Sequence, residues 1–267
     1  MPDLDVSAEL ALAAQLADAA RPIALQHFRT GLHVDAKPAH EFDPVTEADR
    51  AIEARIRAIL AEARPEDGVL GEEQAETLGQ SGRTWVVDPI DGTRAFIAGL
   101  PTWCVLIALY GPDGPLLSVI DQPFTGERFS GVTGQGAWLD HGGSRQSLRT
   151  RPAVTRVEDA ILSTTDPGLF EGAEADCFSR LAQAAKVRRY GLDAYAYAAL
   201  AAGGVDLVIE SGLKPWDVGA LIPVVTGAGG VITNWRGGPA HEGGQMLAAA
   251  TPQLHAQALE QLAAAAL

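Results

Sequence analysis

The stretch Thr84-Trp85-Val86-Val87-Asp88-Pro89-Ile90-Asp91-Gly92-Thr93-Arg94-Ala95-Phe96 decides how the rest of the chain is read. Trp85, Val86 and Val87 are strand formers in a short apolar run, which predicts a buried strand. Asp88 falls at its carboxyl end. Pro89, with a fixed φ and no N–H, is expected to stop the ladder there. Asp91 follows three residues after Asp88, so a tight turn can aim both carboxylates at one point. Gly92 lets backbone approach a ligand closely, and Thr93 offers a hydroxyl and an N–H. A helix starting near Thr93 would present free N–H groups, the makings of an anion site. Two carboxylates beside such a helix end point to a metal-bridged phosphate. The same residues also suit a plain capped turn, because Asp-Pro and Asp-Gly are common turn pairs.

Upstream, Gly68-Val69-Leu70-Gly71-Glu72-Glu73 reads as a short strand ending in two acids. Successive side chains of an extended segment point to opposite sides, so only one of the two glutamates faces the site. Before it, a helix carries Ile52, Ile56, Ile59 and Leu60, with Thr46 as its cap and Asp49 near capping-box spacing. Asp49 either serves the helix dipole or belongs to the site. Residues Ser7 to Phe28 predict an amphipathic helix through Leu10, Leu12, Leu16 and Ile23, capped by Ser7. His27 near its end reads as a surface residue.

Downstream, Thr102 to Tyr110 and Pro115 to Ile120 flank the turn Gly111-Pro112-Asp113-Gly114 and predict a hairpin. Glu127 to Val132 and Gly136 to Leu139 extend it into an antiparallel sheet behind the first two helices. A second unit begins near Val157, so the chain divides into intimately joined parts at 1–150 and 151–267. Its expected elements are a strand at Ala160 to Ser163, a helix through Phe178 to Ala185 and a strand at Val187 to Gly191. An Ala-rich helix at Asp193 to Ala202 and a strand at Val205 to Glu210 follow. In Lys214-Pro215-Trp216-Asp217, Asp217 reads as the N-cap of a helix running to about Thr226, with an oxygen left to ligate a metal. Pro223 predicts a kink or an irregular turn in that helix. Val231 to Thr233 reads as a strand, and Leu254 to Leu267 as a terminal helix.

The chain has 267 residues, 47% of them hydrophobic, enough for a substantial core. A net charge of −14 argues against nucleic acid or an anionic membrane as a partner. It also opposes a phosphate ligand unless divalent cations invert the local field. Cys104 and Cys177 lie far apart and form no CxxC, which fits a reducing compartment and argues against a disulfide framework or a zinc site. Cys104 reads as a small core residue. No apolar run reaches the roughly 18 residues of a membrane span. The acidic start Met-Pro-Asp-Leu-Asp lacks the basic region of a signal peptide, so a cytoplasmic protein is expected.

Asp49, Glu72-Glu73, Asp88-Pro89-Ile90-Asp91-Gly92-Thr93 and Trp216-Asp217 occur in the order and spacing of the inositol monophosphatase superfamily. The resemblance covers nearly the whole chain. Within that superfamily the chain is most similar to histidinol-phosphate phosphatases of the inositol-monophosphatase type. The stretches that carry this are Asp91 to Trp103, Arg189-Tyr190-Gly191-Leu192-Asp193-Ala194-Tyr195-Ala196-Tyr197, and Gly212 to Asp217. One departure is Leu192, where the subfamily usually has a second Gly. The resemblance implies an α+β fold, a layered α-β-α-β-α sandwich of the sugar-phosphatase type, assembled as a homodimer. It implies Mg2+ dependence, lithium sensitivity and a small phosphorylated substrate.

The resemblance assigns the metal to Glu72, Asp88, Asp91, Asp217 and the carbonyl of Ile90. Gly92 and Thr93, beside Asp91, become phosphate contacts, and Asp49 the partner that holds Thr93. Glu72, Asp49 and Thr93 are then the catalytic set. Hard oxygen ligands without His or Cys favour Mg2+ over zinc. Asp193 and Glu210 suit the amine and imidazole of histidinol phosphate, with Asp217 beside the leaving group. Arg189 sits either at the pocket rim or against an acid. The alternatives are an inositol or broader sugar monophosphatase, and a catalytically silent binding protein on the same scaffold.

Overall fold

The computed structural model describes residues 4–30 and 47–267, with the backbone of 35–36 and 44–45 between them. Thr46, expected to cap the second helix, lies outside the described residues. Helices α1 (Val6–His27) and α2 (Glu47–Ala63) flank a small antiparallel pair, β1 (Asp35–Ala36) and β2 (Pro44–Val45). The chain then builds its first sheet. Its strands are β3 (Gly68–Gly71), β4 (Thr84–Asp91), β5 (Cys104–Gly111), β6 (Gly114–Gln122), β7 (Glu127–Val132), β8 (Gly136–His141) and β9 (Ser144–Ser147), with the short helix α3 (Thr93–Ile97) after β4. They lie in sequence order, antiparallel apart from the parallel β3–β4 pair at one edge.

The second sheet holds β10 (Ile161–Thr164), β11 (Val187–Tyr190), β12 (Leu207–Leu213), β13 (Val231–Asn234) and β14 (Gly244–Ala249). Its order is β11-β10-β12-β14-β13, parallel on the β11 side and antiparallel beyond β12. The intervening helices are α4 (Gly172–Ala184), α5 (Ala194–Ala201), α6 (Pro215–Gly219), α7 (Leu221–Gly227) and α8 (Pro252–Leu262).

Strand alternation sorts these elements into layers. On β5, Val105, Ile107 and Leu109 face α1 and α2, while Cys104 and Leu106 face the other way, toward α5, α6 and α7. On β12, Val208 meets that same middle layer of helices, and Leu207 and Ile209 pack against α4 and α8. The result is an α-β-α-β-α sandwich, as the resemblance implied. The inner strands of both sheets are buried on both faces, which is why they read as near-continuous apolar runs. The middle layer draws on both halves of the chain and forms one core between the sheets.

Several local expectations are corrected. Asp5, not Ser7, caps α1, its carboxylate accepting the Ala8 N–H at 3.1 Å. Pro89 does not end its strand. Asp88 pairs with Leu106 and Asp91 with Cys104, so three steps on β4 match two on β5. Pro89 therefore sits in a β-bulge, where a missing N–H costs no ladder bond. The helix after Asp217 splits into α6 and α7 at Ala220. Pro223 cannot donate to the carbonyl four residues back, that of Gly219, and its ring crowds it, so the helix restarts instead of kinking. Strands β9 and β14 were not anticipated. β9 is short, polar and exposed, and β14 follows a Gly-rich turn that masks its apolar run.

Gly131 of β7 is where the middle layer closes on the first sheet. A Cβ there would overlap the Pro223–Val224 backbone of α7. Gly131→Ala should lower unfolding free energy by about 1–3 kcal/mol through overpacking. Chemical denaturation measures it, and an unchanged midpoint would show that the layers do not meet this closely.

Candidate active site

The β4 bulge sets the geometry of the site. An unbroken strand would send Asp88 and Asp91 to opposite faces. The extra residue between them brings both carboxylates to one cavity. Asp217 joins them from the first turn of α6, and one oxygen from each of the three lies within 4.8 Å of the others. Asp217 is the third residue of its helix, not the cap. Its Oδ2 accepts the Lys214 N–H at 2.7 Å, fixing its direction. Glu72, just past β3, lines the same cavity, and its charge acts on Asp88 and Asp91, although it lies outside that trio.

The cavity has a volume of about 180 Å3 and is open to solvent. Its walls include Glu72, Asp88, Ile90, Asp91, Gly92, Thr93, Asp193, Glu210 and Asp217, so nearly every sequence-predicted site residue converges here. Arg189 does not. It is exposed on the edge strand β11 and forms no part of the cavity wall. Asp49 is buried behind Asp88 and acts on it through its charge. The Thr93 hydroxyl donates to the Ile90 carbonyl at 3.0 Å, so in this structure its proton is not directed at Asp49.

Electrostatics mark the cluster as incomplete without a cation. Asp88 is 2% exposed, and its Oδ1 is buried with no hydrogen-bond partner among the described residues. Burial first, then the charges of Glu72, Asp91, Asp217 and Asp49, hold its carboxyl well above the usual range. Asp91 is raised likewise by burial and by Asp193 and Asp217, against the lowering effect of the Ala194 N–H, which reaches its Oδ2 at 2.6 Å. A divalent cation fits this set, supplying the missing partner of Asp88 and removing the repulsion. All its donors are oxygens, as hard cations prefer.

Another wall of the cavity is built by the start of α5. Asp193 has φ +48° and ψ −140°, a conformation that side-chain-bearing residues rarely adopt. This presents the Ala194 N–H to Asp91 and brings the Asp193 side chain over Gly92, where a Cβ would stand 3.1 Å from it. Gly92 itself has φ +80° as it opens α3. Its need for glycine is thus set by its own turn and by Asp193, as well as by any ligand. Burial raises Asp193 to about 6, with Arg94 opposing. Glu210 is 3% exposed and raised by burial to about 8. It accepts the Thr165 N–H at 2.7 Å, the Thr165 hydroxyl at 3.0 Å and the Thr164 hydroxyl at 3.2 Å.

Sequence reasoning missed Thr165 and Tyr197, which also line the cavity. Thr165 follows β10 at its carboxyl end, where open α/β sheets place ligands. Tyr197 stands one helical turn beyond Asp193, on the same face of α5. Both signals were present in the spacing.

Carboxylates gathered at a strand bulge, where they could hold a cation, are the arrangement expected of a metal-dependent phosphatase. The comparisons agree. The inositol monophosphatase family model matches residues 5–266, and the chain belongs to that family. It is 38% identical to the histidinol-phosphatase of Mycobacterium tuberculosis, over 90% of this chain and 92% of that one. It is also 38% identical to the bifunctional phosphatase IMPL2 of Arabidopsis thaliana, over 98% of this chain and 77% of that one. Among solved structures, an inositol monophosphatase from Zymomonas mobilis superposes with a TM-score of 0.86 at 38% identity, covering 98% of this chain and 100% of that one.

A carboxyl whose pKa is raised on folding contributes stability that is present at pH below about 4 and lost as pH rises through its folded value. With metal chelated, Asp88→Asn should therefore be more stable than wild type at pH 8, by about 1–3 kcal/mol for relief of one uncompensated buried group. The advantage should shrink at pH 5. Denaturation curves in chelator at the two pH values test this, and a variant less stable than wild type at pH 8 would contradict it.

Proposed function

We propose that the protein hydrolyses histidinol phosphate to histidinol and phosphate, using Mg2+. The observation that carries this reading is Asp193, held in a strained backbone conformation with its carboxylate against Gly92, at the turn expected to hold the phosphate. A carboxylate placed there at the cost of strain suits a leaving group that carries a cation. A neutral polyol gains less from it. Glu210 lies deeper in the same cavity, and a cationic ring entering beside it favours its charged form. Similarity to the M. tuberculosis histidinol-phosphatase supports the same reading.

In this account Glu72, Asp88, Asp91, Asp217 and the Ile90 carbonyl hold the metal. When bound, Mg2+ supplies Lewis acidity to the attacking water and the leaving oxygen. The chain's own groups do the rest. Glu72 and the Thr93 hydroxyl orient the attacking water, with Asp49 behind them. The N–H groups of Gly92 and Thr93 meet the non-bridging phosphate oxygens as charge develops. Asp193 fixes the amine, so that the phosphorus lies in line with the water. The runner-up is an inositol or broader sugar monophosphatase, favoured by the equal likeness to the Z. mobilis protein. It is also favoured by the three donors that already occupy Glu210.

Lithium sensitivity, a cytoplasmic setting and a homodimer belong to the same proposal. No helix among the described residues is long and apolar enough to cross a membrane. For the dimer, the support is exposed apolar side chains: Leu25, Leu100 and Phe124 are each exposed, and Arg29 bonds the Gly99 carbonyl at 3.0 Å and lies over the Phe124 ring.

Kinetics on histidinol phosphate, inositol 1-phosphate and an aryl phosphate decide between the two substrates. The expected order puts histidinol phosphate first, and a preference for inositol 1-phosphate would replace the reading with the runner-up. Asp193→Ala should lower kcat/KM for histidinol phosphate by about ten- to a hundredfold, the worth of one charged hydrogen bond. It should leave the aryl phosphate little changed, and equal losses on both would remove Asp193 from recognition. Asp91→Asn should abolish turnover on every substrate with the fold intact. Retention of wild-type rate would rule out the metal account.

A further inference from the structure

Asp49, Glu53 and Arg57 are spaced four apart on α2 and share one face of the helix. Glu53 belongs to none of the expected site residues, yet it is fully buried. A buried carboxylate needs partners, and those of Glu53 all concern the segment that carries Glu72. Its Oε2 accepts the backbone N–H of Glu73 at 2.7 Å. Its carboxylate also lies so close under Gly71 that a Cβ at that position would overlap it. Glu72 is thus held on both sides by backbone that rests on Glu53. Arg57 completes the arrangement. Its Nε bonds Glu53 Oε1 at 2.7 Å, while its other nitrogens reach the Thr77 hydroxyl at 3.1 Å and the Gln74 carbonyl at 3.3 Å. Thr77 in turn pairs with Val69 of β3, through N–H···O distances of 2.8 and 2.9 Å.

The segment from Gly71 to Thr77 is therefore a short loop, closed at its base by Val69 and Thr77 and gripped from below by the Glu53–Arg57 pair, with Arg50 of α2 also 3.9 Å from Glu73 at its surface. Glu72 is the one cavity carboxylate on such a loop. Asp88 and Asp91 lie in a central strand pair, and Asp217 is fixed by its own helix turn. Without an outside hold, the direction of Glu72 would depend on a few exposed residues.

We propose that Glu53 and Arg57 are positioning residues for Glu72: the buried pair presets the Gly71–Glu72–Glu73 backbone so that the Glu72 carboxylate enters the metal site ready to ligate. This rests on the reading of Glu72 as a metal ligand. It makes metal affinity the property that the pair controls. Groups that orient metal ligands typically contribute ten- to a hundredfold to affinity.

The test is Mg2+ titration by calorimetry of wild type, Glu53→Gln, Arg57→Met, Arg57→Lys and Glu72→Gln, with a melting temperature for each. Glu53→Gln and Arg57→Met should weaken Mg2+ binding about tenfold or more. At saturating Mg2+ their kcat should stay within about threefold of wild type, since the reacting groups are intact. Arg57→Lys, which keeps a cation beside Glu53, should recover most of the loss. Arg57→Met carries the test if Glu53→Gln does not fold, because Arg57 reaches the surface. A lower melting temperature with unchanged Mg2+ affinity would make the pair merely structural and overturn the proposal. If Glu72→Gln itself left Mg2+ affinity unchanged, the ligand reading of Glu72 would fail, and the positioning role with it. The two failures are therefore separable.

Discussion

Mutual repulsion among crowded carboxylates is the constraint on which this structure turns. Asp88, Asp91 and Asp217 bring an oxygen each into one small space, with Glu72 and Asp193 beside them. Folding alone gains nothing from this. Each group loses hydration, and each raises its neighbours' cost of ionising. Such an arrangement persists only where the surrounding scaffold is rigid enough to hold it and a cation is available to offset it. The sandwich supplies the rigidity. Three of its five layers contribute: the first sheet through the β4 bulge, the middle helices through α6 and the start of α5, and the outer pair through Asp49 of α2.

The hydrogen bond from the Ala194 N–H to Asp91 shows how this rigidity is built. It ties the β4 bulge of the first sheet to α5, the helix between β11 and β12 of the second. It also explains the unusual backbone of Asp193. The turn that presents the amide requires the positive φ of the residue before it, so the contact to Asp91 and the placing of the Asp193 side chain over Gly92 depend on one strained residue. Truncating the Asp193 side chain leaves the Ala194 N–H in place, so the carboxylate and the backbone contact to Asp91 are separable.

Much of this was legible in the sequence. Periodicity placed most of the helices and strands, and three short acidic motifs, each at the end of an element, pointed to carboxylates that the fold brings to one cavity. What was not legible depended on tertiary context. Pro89 could be read only as a strand terminator until its partner strand was known, because a bulge is a property of two strands. Asp217 looked like an N-cap because cap and third helical position differ only in local φ and ψ. Glu210 looked like a free substrate ligand, but the threonines that occupy it come from β10 and the residue after it, 45 positions earlier. Glu53 was invisible for the opposite reason. A glutamate four residues before an arginine on a helix is usually a solvated surface pair, and nothing local shows that this one is buried.

The central claim is that these carboxylates exist to hold divalent cations at the cavity floor. It is tested most directly by soaking crystals in Mn2+ and recording its anomalous scattering. The account predicts a peak bounded by Asp88, Asp91 and Asp217, and a second on the Glu72 side of Asp88. A cavity without anomalous signal at saturating Mn2+, or a peak seated elsewhere on the molecule, would contradict it.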